Sequence, residues 1–263
     1  MFKQFSYFIF ILFLSTTIYA EDLTDIEISA PSEANSSVNN EAISDVKTRN
    51  IVDGGDLLQS INGVNVIRRG GHGLDPVVRG QSDQRINTFI DGAMIYGSCS
   101  VKMDTASTYI NAESYDTVTV MKGTQSVMFG SGGTGGVVSF KRVTEPYSSI
   151  DGSPFKMKFG QTFDSNSETF SSIADITYSN GRSYLRLNGN YTEAGNYETG
   201  TGLKLQSEYK TANSSVIIGS RLDDGSKLEL TYTDNRQDDV GYPGLPMDIN
   251  YSYADIYNLK YHR

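Results

Sequence analysis

The residues of this 263-residue sequence best suited to chemistry are its only cysteine and a methionine four positions later, in Tyr96-Gly97-Ser98-Cys99-Ser100-Val101-Lys102-Met103-Asp104. Four residues make one helical turn, a spacing that sets both sulfurs on the same side of a helix. A thiolate and a thioether are soft ligands, and soft ligands select Cu(I) over hard cations. Two sulfurs underfill a copper site, so a further donor is needed. Met247, in Tyr242-Pro243-Gly244-Leu245-Pro246-Met247-Asp248, is a candidate. The opposing reading is plain packing: a lone cysteine often serves as a small buried hydrophobe and a methionine as a gap-filler. His72, in Gly70-Gly71-His72-Gly73, reads as a loop histidine rather than a ligand.

Little else offers a reaction. Two histidines and one cysteine leave scant material for a His-based triad and none for an intrachain disulfide. The paired carboxylates Asp238-Asp239 sit in a polar turn pattern. Gly130-Ser131-Gly132-Gly133-Thr134-Gly135-Gly136 lacks the Gly-Lys-Ser/Thr ending of a phosphate-binding loop. No nucleotide or organic cofactor and no enzymatic activity are therefore expected. A formal net charge of -9 supplies no basic field for phosphates, so nucleic acid is not expected as a partner.

The elements that would carry the sulfurs follow a clear order along the chain. Residues 1–20 begin with Lys3, continue through the apolar run Phe8 to Leu14, and end at Ala20 before Glu21-Asp22. That is the pattern of a secretory signal peptide, too short in its apolar part to span a bilayer. Ile18 is large for its place, and the alternative is an uncleaved anchor. Residues 21–50 are polar and read as a flexible tether. Within them Thr24-Asp25-Ile26-Glu27-Ile28-Ser29-Ala30 alternates like a strand that could pair with a partner's sheet edge, or holds a chance pair of isoleucines.

Residues 51–145 read as a compact, glycine-rich α+β domain. Asp53 caps a helix opening at Leu57-Leu58, and Gly63 ends it. Short strands follow around Val64–Ile67, Pro76–Arg79, Arg85–Ile90, Tyr115–Met121 and Val137–Phe140. Asp91-Gly92 is a hairpin turn, and Gln125 to Phe129 fits one helical turn. From 150 to 263 the pattern changes to period-two alternation, as in Leu228-Leu230-Tyr232 against Lys227-Glu229-Thr231. This is an antiparallel meander with an apolar face and a very polar one, the latter holding Lys156, Lys158, Arg186, Lys227 and Glu229. A soluble sandwich turns its polar face to water; a membrane barrel turns it to a wet lumen. Alternation alone does not separate the two.

The 51–143 segment resembles the plug domain of TonB-dependent outer-membrane receptors. The resemblance rests on Leu57-Leu58, Pro76-Val77-Val78-Arg79-Gly80, Arg85-Ile86-Asn87 with Ile90-Asp91-Gly92, Glu113 to Gly123, and Met128-Phe129-Gly130 leading to Gly135-Gly136-Val137-Val138. Thr124 stands where members of the family usually carry proline. The Cys-x-x-x-Met pattern after the Asp-Gly hairpin is similar to the copper-receptor branch. The resemblance implies a plug domain followed by antiparallel transmembrane β-barrel strands, with the barrel incomplete in 263 residues. It implies that residues 24–30 are the TonB box pulled by a TonB-type energy-transducing protein, that the meander meets outer-membrane lipid, and that the cell is a Gram-negative bacterium. Cys99 and Met103 would then hold copper at the plug's outer apex. Uptake of an iron-siderophore or other metal chelate by the same kind of receptor, and a secreted β-rich binding protein, are the alternatives.

Overall fold

The computed structural model of the chain describes residues 38–43, 51–100, 102–143 and 153–263. The signal peptide expected over 1–20 and the TonB box expected over 24–30 lie outside the described residues, as does most of the 21–50 tether. The architecture is the expected one: a small α+β domain followed by an antiparallel meander.

The N-terminal domain is built on a five-stranded sheet in the order β1-β6-β7-β4-β5. The strands are β1 (Val38–Ala42), β4 (Ile86–Ile90), β5 (Ala93–Ile95), β6 (Thr117–Lys122) and β7 (Gly136–Lys141). β4 and β7 run parallel; the other pairs are antiparallel. β1 falls in the stretch expected to be tether, where it adds an edge strand by pairing Val38 with Met121 through Ala42 with Thr117. A two-stranded ribbon, β2 (Val64–Ile67) with β3 (Asp75–Val78), packs beside the sheet.

The short helix α1 (Gly54–Leu58) starts where its cap predicts. Asp53 is extended, and its side chain accepts from the Asp56 amide at 2.9 Å. Leu57 and Leu58 drop into the core with Val118, Val120, Val138 and Phe140, all fully buried. Deleting such a side chain costs about 2–5 kcal/mol, which makes this cluster the domain's main source of stability. The β4–β5 turn needs positive φ at both central residues, and Asp91 (50°) and Gly92 (93°) supply it.

The meander is one open six-stranded sheet: β8 (Phe155–Asp164), β9 (Thr169–Ser179), β10 (Ser183–Ala194), β11 (Tyr209–Arg221), β12 (Lys227–Val240) and β13 (Ile249–His262). At 10 to 14 residues each, the strands are long enough to cross a bilayer when tilted. Their polarity is inverted relative to a soluble protein. On one face Arg186, Asn188, Glu229, Thr231 and Asn235 are buried, and Arg186 reaches Asp116 of the N-terminal domain. On the other face Tyr251, Tyr253, Tyr257, Leu259 and Tyr261 of β13 are exposed, with Leu228 and Leu230 of β12 and Phe155 and Phe163 of β8. This is the pattern of a barrel wall, not of a sandwich whose polar face meets water.

The two parts are joined by charge-assisted hydrogen bonds. The Arg186 guanidinium forks onto Asp116 of the N-terminal domain (2.5 and 3.0 Å) and onto Asp175 of β9 (2.6 and 3.0 Å). Arg142 donates to Asp91 and to Thr233 of β12 (2.8 and 2.7 Å) and lies 4.7 Å over the Tyr115 ring. Asn258 of β13 donates to the Asp91 carbonyl at 2.5 Å, and Ile256 enters the domain's apolar core.

Removing one partner of such a buried pair leaves an uncompensated charge, at a cost of about 3–5 kcal/mol. Arg186→Ala is expected to lower stability by that order and to speed amide exchange in β6, next to Asp116. Unaltered exchange there would show that the pair does not hold the domain to the wall.

Candidate metal-binding site at the domain–wall seam

The Cys99–Met103 segment follows β5 directly. It is a loop, not a helix, so the one-turn argument for aligned sulfurs does not hold. The Cys99 carbonyl instead accepts from the Lys102 amide at 3.0 Å in a tight turn, with Lys102 at a φ of 62°. The turn still brings the two residues together. Met103 is buried in a cluster with Ala194, Tyr209, Val240 and Tyr242 of the wall, and half-buried Cys99 packs against the same cluster.

Asp104 organises the turn. Its carboxylate accepts from the Ser98 amide (2.8 Å), the Ser98 hydroxyl (2.6 Å), the Cys99 amide (2.7 Å) and the Tyr109 hydroxyl (2.8 Å). Burial pushes its carboxyl up, but these donors outweigh burial and hold it below its ordinary 3.8. Tyr109 also bonds Ser252 of β13 at 2.8 Å. The Tyr242 hydroxyl donates to the Met103 carbonyl, and Lys102 pairs with Asp83.

The glycine-rich segment 70–73 lies at the same seam. A Cβ at Gly71 would come within 2.4 Å of the Ser207 carbonyl, and one at Gly70 within 2.7 Å of the Gly241 carbonyl, so only glycine admits this approach. It carries His72 onto the Tyr209 ring (4.9 Å between centroids, 18° between planes) and within 3.7 Å of Asp53. Burial lowers the His72 pKa to about 4, so the ring is neutral at pH 7. Burial raises Asp53 to about 6, although it accepts from the Gly73 and Leu74 amides (2.9 and 3.0 Å) as well as from its own helix. His72 is thus a packed loop residue, as its surroundings suggest.

Met247 does not join this constellation. It is exposed at 54% and lies outside the Cys99–Met103 cluster, at the far end of a loop tied down by Asp248, which accepts from the Tyr242 amide (2.8 Å) and Gln206 (3.0 Å). Among the described residues no group of three His, Cys, Asp or Glu side chains is placed to hold a metal. A cavity of about 500 Å³ opens beside the cluster, sharing Ala194, Tyr209 and Val240 with it. Glu168, Glu193, Glu208, Asp239 and Asp248 line it, with Lys210 bonded to Asp239 at 3.0 Å. That excess of carboxylates favours an approaching cation. Tyr209, which opens β11, and Tyr242, in the loop after β12, wall in Met103 from over a hundred residues away, and no local signal marks them. Asp104 was visible only as an acid beside a methionine.

Residues 27–137 match the TonB-dependent Receptor Plug Domain. The solved structure titled copper transporter OprC superposes with a TM-score of 0.81 at 31% identity, covering 88% of this chain and 36% of that one. The siderophore receptor PirA from Acinetobacter baumannii (TM-score 0.65, 18% identity, 86% and 37% covered) and the Serratia marcescens hemophore receptor HasR (0.67, 21%, 76% and 31%) share the fold. The hemoglobin and hemoglobin-haptoglobin-binding protein of Haemophilus ducreyi is 26% identical over 88% of this chain and 27% of its own length. The chain thus spans roughly a third of these relatives. Its fold is a plug domain followed by antiparallel strands like part of such a receptor's barrel wall.

Because the folded Asp104 pKa is depressed, its stabilisation is complete above about pH 4 and is lost as pH falls through the folded value. Amide protection over 98–104 is expected to fall as the pH drops below about 4. Asp104→Ala should produce the same loosening at pH 7, at a cost of about 2–3 kcal/mol. Equal exchange in both tests would mean that the carboxylate does not hold the turn.

Proposed function

We propose that this chain is the plug and first wall strands of a TonB-dependent outer-membrane receptor for energised copper uptake. The metal is taken by Cys99 and Met103 on the plug. One observation carries the reading: the lone thiol and the thioether share one pinned turn at the plug–wall seam, half-open on the thiol side, next to a carboxylate-lined cavity. The thiolate and thioether match Cu(I) in softness, and the carboxylates raise the local concentration of a cation without the softness to hold it. The likeness to the copper transporter OprC, at 31% identity, supports the same cargo. Residues 24–30 serve as the TonB box, through which a TonB-type protein delivers work derived from the inner-membrane proton gradient. Residues 1–20 direct export, and the tyrosine- and leucine-rich outer face meets outer-membrane lipid. Catalysis plays no part in this scheme: binding and pulling suffice.

The second reading is a haem or iron-siderophore cargo. It draws on the Haemophilus ducreyi relative, and Tyr96, 67% exposed beside the loop, offers an aromatic contact. Copper titration of the purified protein separates the two. Cys99→Ala and Met103→Leu are each expected to weaken Cu(I) binding at least tenfold, and Met247→Ala to change it less than twofold. Undiminished Cu(I) affinity in Cys99→Ala would end the copper assignment.

The lipid contact has its own test. Arg in place of a lipid-facing residue costs up to about 2–4 kcal/mol near the bilayer midplane, whereas a surface change in water stays within about 0.5 kcal/mol. Leu230→Arg should therefore reduce assembly in the outer membrane. Full recovery of this variant as a soluble monomer would favour a secreted binding protein.

A further inference from the structure

The sulfur turn carries a basic residue between its two soft donors. Within residues 96–104 Lys102 is the sole cation, next to Met103 and three positions after Cys99. A positive charge beside a cation site opposes binding. At about 6 Å and an effective dielectric constant of about 20, one ammonium weakens the binding of a monovalent cation by roughly a hundredfold. Solvent exposure and salt reduce that to about tenfold. A lysine on a flexible four-carbon stem can swing over either sulfur unless something holds it elsewhere.

Asp83 holds it. The Lys102 ammonium pairs with the Asp83 carboxylate, in the short 3-10 turn Asp83–Arg85 that leads into β4 and lies outside the sulfur loop. The hydrogen bond from Lys102 is the main reason the Asp83 carboxyl sits below its ordinary value. Both ends of the pair stand in the left-handed region, at a φ of 62° for Lys102 and 67° for Asp83. Aspartate visits that region readily; lysine seldom does. Such a conformation persists where its surroundings fix it, and at Lys102 the amide bond to the Cys99 carbonyl (3.0 Å) and the pair with Asp83 do so. The other nearby carboxylates are engaged elsewhere. Asp75 of β3, close enough to feel the Lys102 charge, lies 3.6 Å from Arg69. Asp104 accepts from Ser98, Cys99 and Tyr109.

We propose that Asp83 is a positioning residue for the Cys99–Met103 site: it draws the Lys102 ammonium out of the turn, so that an approaching cation meets the two sulfurs without a positive charge beside them. Asp83 donates nothing to the metal and acts through Lys102 alone. Its removal therefore harms the site only while Lys102 is present, which separates this role from a general loosening of the loop.

The benefit to metal binding rests on the copper reading; the placement of the charge does not. Cys99 is the only thiol in the chain, so it reports the local potential itself. Its rates of reaction with a cationic and an anionic methanethiosulfonate are measured on the purified protein. Asp83→Asn is expected to lower the cationic-to-anionic rate ratio at least fivefold, and Asp83→Asn with Lys102→Gln to return it within twofold of the parent. An unchanged ratio in Asp83→Asn, or a fall that Lys102→Gln does not reverse, would overturn the role of Asp83. Cu(I) titration of the same proteins should follow the same order: about tenfold weaker binding in Asp83→Asn, restored within twofold in the double variant. A shifted ratio with unshifted Cu(I) affinity would overturn the link to metal capture. If Cys99→Ala binds Cu(I) normally, the cargo assignment fails alone, and the reagent ratio still decides whether Asp83 holds the Lys102 charge away.

Discussion

The structure turns on the inverted polarity of the six-stranded sheet. Its apolar face carries tyrosines and leucines outward, so its polar face must be satisfied from within. A sheet burying Arg186, Asp175, Glu229 and a row of asparagines has no stability of its own in a dry interior, because each unpaired group costs kilocalories. The plug answers that demand. Asp116 completes the Arg186 fork, Arg142 reaches Thr233, and the Asp91 carbonyl takes the Asn258 amide. Wall and plug therefore hold each other through polar contacts, while each keeps its apolar groups for other purposes: the plug for its core, the wall for its outer surface.

That division of labour leaves the two parts joined mainly by polar contacts. Apolar burial between plug and wall is small, limited mainly to Ile256 and to the cluster around Met103. Directional bonds break one at a time under a pull, and water can replace them at modest net cost. A seam sealed by interdigitated leucines would hold with a larger, non-directional energy. The sulfur-bearing turn sits where the two kinds of contact meet, with its backbone set by Asp104 and its methionine packed under wall tyrosines.

Where a local rule governed an element, its place was legible in the residues. Asp53 caps α1, Asp91-Gly92 closes β4–β5 with positive φ, and the alternation around 228–232 became the start of β12. β1 has no alternation to read; Val38–Ala42 becomes a strand because β6 offers an edge to pair with. The middle of β11 is a run of small polar residues, Asn213-Ser214-Ser215, whose two faces look alike until its neighbours assign them. The helical alignment of Cys99 and Met103 failed because Asp104 captures the amides of Ser98 and Cys99, and a side chain that accepts from the backbone there draws the chain into a turn.

By itself the sequence determined the kind of elements and their order: a capped turn of helix, short glycine-punctuated strands, then long alternating ones, with one thiol and one thioether in reach of each other. Those follow from periodicity, capping and turn chemistry, which act over a few residues. Tertiary structure alone decided which face of the long strands points outward, because alternation is symmetric under exchange of inside and outside until something polar occupies one side. It also decided that Met103 lies under Tyr209 and Tyr242 while Met247 stands apart, since those contacts join positions more than a hundred residues distant, where no local preference acts.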